Sequence, residues 1–275
     1  MPRPSRPSFP RRQVGRSLGR LREQAGFTQE EAGAPIRVSK SKLSRIEQGH
    51  LPGYNDFAAL LDRYGVLSSD FGEYVRMYDA AKEPGWWPRN VPRNFGYVEV
   101  EASACAIRQY EIGLMPGLLQ TASYTRRLFE HSHVPWSDED VGRNVAVRLR
   151  RQRRLTEDPD FKIHLIIDES AFYRPWCDRE QVEAVIEGAA LPSVTVQVLA
   201  LSALPHGGLH GGFAILDFPD SEEPGMVYLE GAFGSLHLES PKEIGEARAQ
   251  FKHLRKLALD EPASVELLKH LAVVK

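Results

Sequence analysis

Cysteine is scarce in this sequence: Cys105 and Cys177 are the two among 275 residues. Two cysteines provide neither a zinc-ligand set nor a disulfide framework, so we expect two free thiols, no metal and a reducing compartment. Long apolar runs are also missing, because no stretch approaches the ~20 residues that a membrane span needs. Residues 1–12, rich in proline and arginine, lack the apolar core of a secretory signal. These absences predict a cytoplasmic protein without a membrane partner.

Charge is nearly balanced overall, at −2, but it is unevenly distributed along the chain. Residues 1–50 carry 11 lysines and arginines against four acidic residues, whereas the remainder carries 24 against 33. A basic segment followed by an acidic remainder suggests that the basic segment binds a polyanion.

The length of the chain is typical of a protein with two domains.

The first part of the chain reads as closely spaced short helices. We assign residues 1–13 to a disordered basic arm, 14–82 to an all-α domain of five helices, and 83–96 to a linker rich in proline and glycine. Residues 97–275 form the second domain.

Two capped helices joined by a tight turn stand out within the first domain. Thr28 to Glu31 matches a capping box, and Ser39 is the expected N-cap of a third helix spanning about 39–48. Leu43 and Ile46 face inward on that helix. Its outward positions are hydrogen-bond donors: Lys40, Ser41, Lys42, Ser44 and Arg45. This is how a recognition helix is presented to the major groove of DNA.

The segments "FTQEEA" and "VSKSKLSRIEQG" resemble the helix-turn-helix of the phage-repressor-like XRE family over roughly residues 14–82. The resemblance implies that Lys40, Ser41 and Arg45 reach base edges, while Gln29 and Lys42 contact phosphates. It also implies that Arg22 pairs with Glu47. The DNA-binding residues it predicts are Thr28, Gln29, Ser39, Lys40, Ser41, Lys42, Ser44 and Arg45.

Two positions depart from the family pattern, and both lie in the turn. Pro35 stands where the family usually has a helix former, and it is expected to end the second helix. Arg37 stands where a glycine is common, so it is expected to need a positive φ, which is costly for arginine. The docking angle of the third helix depends on this turn.

The second domain reads as an α/β (α+β) arrangement whose strand order cannot be read from the sequence. Strands are predicted at 161–168, 194–201, 212–218 and 226–230, with a possible fifth at 235–238. Helices are predicted at 99–107, 123–130, 137–155, 181–190 and 241–260.

Several blocks of this second half, notably "MPGLLQT" and "VYLEG", resemble the DUF5753 domain over about residues 84–270. That domain follows a helix-turn-helix in antitoxin-like regulators of actinomycetes. The resemblance implies a regulatory role and, often, a small partner protein encoded nearby. It does not supply a catalytic site or a ligand.

The side chains of the second half give little indication of a catalytic or metal-binding site. Asp168, Glu169 and Glu230 are read as hydrogen-bonded acids at strand ends, and His206 and His210 flank a glycine-rich loop unsuited to metal binding. We therefore expect no enzyme, no catalytic residue and no cofactor. A run of arginines between 143 and 154 can hold an acidic partner, touch flanking DNA or form a solvated helix face. Residues 116–119 form either a partner or ligand groove or a buried turn.

Together these features predict a sequence-specific transcriptional regulator that binds double-stranded operator DNA as a homodimer. Its second domain is expected to dimerise and to bind a partner or ligand. The alternative is an antitoxin-like module that neutralises a small partner protein and regulates its own operon.

Overall fold

The structure, a computed structural model, describes residues 7–83, 95–220, 223–231 and 234–275. The chain divides into two compact units: the first takes in the described residues through Ser103, and the second begins at Ala104. The predicted linker, 83–96, lies outside the described residues except at its ends, as do residues 1–6 of the predicted arm. No helix in the described part of the chain is long and apolar enough to cross a membrane.

The regular elements of the first unit, within the residues that the structure describes, are helices, as predicted. Its helices are α1 Phe9–Gln24, α2 Gln29–Gly33, α3 Lys40–Glu47, α4 Tyr54–Arg63, α5 Phe71–Lys82 and α6 Phe95–Ser103. Glycines with positive φ follow α1, α3 and α4, where left-handed backbone ends a helix without a Cβ penalty: Gly26, Gly49 and Gly65.

One apolar core holds helices α1 to α5 together. Leu18, Leu43, Leu60 and Leu61 are fully buried in it, and Phe57 stacks on Tyr78 with ring centroids 4.5 Å apart. Each buried leucine contributes about 1.5–3 kcal/mol relative to an exposed one. The short helices are therefore stabilised by packing rather than by their own propensity.

Helix α1 starts at Phe9, earlier than the predicted boundary at residue 14. The reason is tertiary, because Phe9 is 1% exposed and its backbone N–H donates to the Glu99 carboxylate of α6. The prediction that residues 1–13 form a disordered arm is therefore corrected from Phe9 onward, because these residues form the first turn of α1. Pro10 suits that turn, since it needs no N–H partner.

Helix α6 packs on α1 within the first unit, although the sequence assigned residues from 97 onward to the second domain. Val98 and Val100 are buried. The helix predicted at 99–107 lies four residues earlier than expected, at Phe95–Ser103, because the chain is extended from Ala106 onward in β1.

The second unit is built on a six-stranded mixed sheet. Its strands are β1 Ala106–Glu111, β2 Lys162–Asp168, β3 Val194–Leu199, β4 Phe213–Asp217, β5 Met226–Gly231 and β6 Gly234–Leu238. Their order is β3-β2-β1-β4-β5-β6. The first three strands are mutually parallel, and β4, β5 and β6 continue the sheet in antiparallel fashion from β1.

The remaining helices complete the α/β arrangement, so the predicted fold class is confirmed. They are α7 Ala122–Glu130, α8 Asp138–Gln152, α9 Arg154–Glu157, α10 Arg179–Ala189, α11 Pro241–Leu257 and α12 Glu261–Val274. Phe251 and Leu254 of α11 pack on one face of the sheet against Tyr110, Ile166 and Ile215. Strand β1 and helix α12 were not predicted from the sequence.

Candidate nucleic-acid interface

The two helices of the motif begin with the predicted caps. Thr28 Oγ1 accepts the Glu31 backbone N–H at 3.2 Å, and a Glu31 carboxylate oxygen accepts the Thr28 backbone N–H at 2.9 Å. The hydrogen bonds from Thr28 lower the pKa of Glu31. Ser39 Oγ accepts the Lys42 N–H at 3.2 Å and so caps α3. The starts of α2 and α3 are therefore set by local side chains.

The turn between these helices has the backbone expected from its two unusual residues. Pro35 lies in a 3-10 turn after α2 ends, and Arg37 adopts left-handed φ and ψ of 57° and 30°. The Val38 N–H donates to the Gly33 carbonyl at 2.9 Å. A Cβ on Gly33 would lie 2.1 Å from the Val38 carbonyl oxygen, so this close approach requires glycine.

Helix α3 is seated on the core by its inward face and its C-terminal end. Leu43 and Ile46 are buried beneath it. Helix α1 approaches so closely that a Cβ on Gly15 would lie 2.5 Å from the Ile46 carbonyl oxygen. The position of α3 is therefore defined by backbone contact as well as by side-chain packing.

A carboxylate at the end of α3 ties three helices together. Glu47 accepts hydrogen bonds from Arg22 Nε at 2.6 Å and from Gln29 Nε2 at 2.7 Å. The hydrogen bond from Arg22 to Glu47 is the largest influence that raises the pKa of that guanidinium. The Arg22–Glu47 pair implied by the family resemblance is present in the structure. Together with the hydrogen bond from Gln29, this pair fixes α1, α2 and α3 relative to one another.

The outward face of α3 is a polar stripe at helical spacing, which we call the α3 stripe: Lys40, Ser41, Ser44, Arg45 and Gln48. Lys40, Ser41 and Arg45 are exposed. Within the described part of the chain, the side chains of Lys40 and Arg45 have no hydrogen-bond or ion-pair partner. Gln48 Nε2 donates to Ser44 Oγ at 3.2 Å. The stripe thus offers donors for base edges and phosphates.

The other predicted DNA-binding residues are engaged inside the unit. Lys42 Nζ lies 2.6 Å from an Asp56 carboxylate oxygen, and Gln29 is held by Glu47. The hydroxyl groups of Thr28 and Ser39 serve as helix caps. A phosphate contact by Lys42 or Gln29 would exchange an internal partner for DNA, and that contact stays a prediction.

Two residues of this surface were missed from the sequence. Gln48 lies one helical turn beyond Ser44, so extending the outward spacing by four positions would have included it. Arg37 is exposed at the turn that leads into α3. The sequence pattern indicates backbone strain at this position but gives no signal for a DNA contact.

In the second unit, the polar groups considered for catalysis are held by hydrogen bonds. Asp168 accepts from the Ser170 N–H at 3.0 Å and from the Tyr110 hydroxyl at 3.4 Å. Glu169 accepts from the Leu201 N–H at 2.8 Å. In the described ranges, no group of three or more histidine, cysteine, aspartate or glutamate side chains is placed to hold a metal ion. His206 instead lies edge-on to the Tyr110 ring.

The predicted arginine run does not form one solvated face. Arg143 pairs with Glu139 on its own helix, and Arg154 pairs with Asp158. Arg151 is buried. Part of the run therefore serves the fold of the second unit, while Arg150 and Arg153 are exposed.

The "MPGLLQT" block forms a buried turn. Met115, Leu118 and Leu119 are buried, and Gln181 Nε2 donates to the Leu119 carbonyl at 2.8 Å. Gln152 Nε2 donates to the Gln120 carbonyl at 2.6 Å. Side chains of α8 and α10 thus satisfy backbone carbonyls of the block, which favours the buried turn over a partner or ligand groove.

Comparison with family models shows which class of protein this chain belongs to. A model described as a helix-turn-helix domain matches residues 13–70, which contain α2, the turn and α3. The chain thus carries the helix-turn-helix of DNA-binding regulators. A model described as a domain of unknown function, DUF5753, matches residues 96–270. The chain therefore belongs to the DUF5753 family, as its sequence blocks indicated. No curated protein and no solved structure matches the chain.

Proposed function

We propose that this protein is a sequence-specific transcriptional regulator that inserts α3 into the major groove of operator DNA. One observation carries the proposal: the α3 stripe projects from a helix whose other face is fixed to the core. Lys40 and Arg45 have no partner within the described ranges, so DNA binding costs them no internal hydrogen bond. Arg45 has the guanidinium geometry that reads guanine O6 and N7 in a bidentate manner.

The rigidity of the reading helix supports specificity. Phosphate contacts set the register of a DNA-binding protein, but base contacts discriminate only when the helix that carries them is held in place. Glu47, Gly15 and Gly33 hold α3 through contacts that leave little freedom. A module that gripped phosphates alone would not need this fixation.

We further propose that the protein acts as a homodimer and that its second unit binds a small partner protein, which shifts the population able to bind DNA. Two-fold operators call for two recognition helices about one helical turn apart, ~34 Å. The partner is supported by the resemblance to antitoxin-like regulators. The alternative, neutralisation of a toxic partner, predicts that expressing the neighbouring small reading frame alone stops growth and that co-expression restores it.

We propose no enzymatic activity. This is supported by the hydrogen bonds that occupy Asp168 and Glu169 and by the raised pKa of Cys177, about 11 because of burial, which keeps the thiol protonated near neutral pH. A thiol in that state is a poor nucleophile. Incubation with ester, phosphoester and peptide substrates should release no product above that of a heat-denatured sample.

The decisive experiment is a binding titration of the full chain with its own upstream DNA against a scrambled duplex, at two salt concentrations. Non-specific affinity falls steeply with salt, whereas base contacts persist. We expect a preference for the upstream DNA that survives at the higher salt. Equal and equally salt-sensitive binding to both duplexes would contradict sequence-specific reading of this region.

A further inference from the structure

The two edges of the sheet in the second unit are finished in different ways. At the β3 edge, the Val198 N–H donates to Ser264 Oγ at 2.9 Å, and the Val198 carbonyl accepts the Leu259 N–H at 2.9 Å. Helix α12 packs along that strand. The β3 edge is therefore covered by the chain itself, which is one way in which proteins prevent strand addition.

At the other edge lies β6, Gly234–Leu238, which we call the β6 edge. Among the described residues, β5 is the one strand paired with it. Gly234, Ser235 and Leu236 are exposed, and Leu236 keeps 55% of its surface in solvent. An edge strand presents backbone donors and acceptors that can template a further strand.

The β6 edge also lacks the residues that usually protect such edges. Its sequence, GSLHL, contains no lysine, arginine, acidic residue or proline. Natural edge strands are commonly protected by charges, prolines or bulges. An exposed leucine at the centre of an uncharged edge, in a chain that covers its other edge, is typical of a strand that pairs with a partner.

We infer that the β6 edge is the dimer interface, pairing antiparallel with β6 of a second copy of this chain. The inference rests on the proposed function, which needs a two-fold axis to relate two recognition helices. An antiparallel pair of identical strands has such an axis. With the axis at Leu236, that residue faces its own counterpart, and the uncharged strand brings no like charges together. The two sheets then join into one.

The position of Leu236 on the axis permits a charge-rescue test in the absence of DNA. The full chain is examined by sedimentation velocity as wild type, as Leu236→Lys, as Leu236→Glu and as an equimolar mixture of the two variants. Wild type is expected to be dimeric. Each variant places two like charges directly opposite each other and should shift toward the monomer at the same concentration, with association weakened roughly fivefold. The mixture should recover dimers, because lysine then faces glutamate.

The matched control is Leu204→Lys, which adds the same charge at a leucine that is 72% exposed elsewhere in the second unit. It should remain dimeric. Circular dichroism and thermal melting establish that each variant is folded, as expected for substitutions at exposed positions.

Four outcomes would overturn the inference: monomeric wild type, variants that stay dimeric, a mixture that stays monomeric, or loss of dimers in Leu204→Lys. A mixture that stays monomeric would mean that Leu236 does not face its own counterpart across the dimer axis. The proposed function is judged separately, by binding to a single half-site. If the charge rescue succeeds but neither wild type nor any variant binds the half-site specifically, the dimer interface is supported and the proposed regulator function is contradicted.

Discussion

Among individual residues, Arg45 carries the most specific expectation. It is exposed on the α3 stripe and has no partner in the described part of the chain. Arg45→Ala should weaken binding to the operator by about 1–3 kcal/mol and relax the preference at one base position. Competition with duplexes that vary one base pair at a time measures both effects.

Arg126→Ala is a suitable control for Arg45, because Arg126 is an arginine with a 48% exposed side chain on α7. It should leave operator affinity unchanged. If Arg45→Ala kept both the affinity and the base preference of wild type, then α3 would be docked in a different register from the one proposed.

Glu111, at the end of β1, predicts a pH dependence of stability. Burial raises its pKa from 4.5 to about 7, with the neighbouring Glu230 adding to the effect and the hydrogen bond from Gln109 opposing it. The folded state therefore keeps a proton that the unfolded chain releases. Its contribution to stability is greatest below about pH 4.5 and is lost as the pH rises to about 7.

Glu111→Gln removes this titration while keeping an oxygen for Gln109. Urea unfolding of both proteins at about pH 5 and about pH 8 should show the variant gaining stability relative to wild type at the higher pH. A difference between the two proteins that is the same at both pH values would mean that Glu111 is ionised in the folded state throughout.

At the scale of elements, the turn between α2 and α3 contains a strained residue. Arg37 adopts φ 57°, where a Cβ costs about 1–2 kcal/mol. Arg37→Gly should therefore raise the free energy of unfolding by about 1 kcal/mol, measured by chemical denaturation.

Arg37→Ala separates strain from charge, because it removes the guanidinium but keeps the Cβ. It should gain no such stability. Equal stabilities of the two variants would contradict the proposed backbone strain at Arg37. If both variants lose the same operator affinity, the charge of Arg37 contacts phosphate.

The elements that were predicted correctly are those with local signals. Thr28 and Ser39 cap their helices with their own hydroxyl groups, and Gly26 ends α1, so each boundary could be read within a few residues. Helix α12 also carried such a signal, since Asp260 caps it and Pro262 lies in its first turn. That signal was overlooked because the previous helix was expected to run to residue 260.

Strand β1 was not predicted, and its first two residues were assigned to a helix, because its identity depends on distant partners. Its residues alternate polar and apolar only weakly, yet the strand lies between β2 and β4. The backbone hydrogen bonds of those neighbours decide its conformation. Sheet propensity is dominated by such context, and a single sequence does not reveal it.

On the scale of the whole molecule, the proposed dimer predicts sensitivity to operator geometry. Half-sites lie about 10 base pairs apart when two helices read one face of the duplex. Inserting about five base pairs between them rotates one half-site to the opposite face, so affinity should fall to that of a single half-site. Electrophoretic mobility shifts of the two duplexes measure the effect.

Two comparisons check this spacing prediction. The same insertion placed outside the half-sites should change nothing, and an insertion of about ten base pairs should recover part of the affinity. Binding that is indifferent to spacing would show that each copy reads DNA alone, which would contradict the proposed dimer.

The sequence by itself determined the class of protein, because capping, helical periodicity and the outward donors of α3 are short-range properties of neighbouring residues. It also indicated two domains and the identity of most strands. Only the tertiary structure decided where α1 begins, the order of the strands, and which donors are occupied: Lys42 by Asp56, and Gln29 by Glu47. The physical reason is that these features depend on contacts between residues far apart in the chain, which local patterns do not encode.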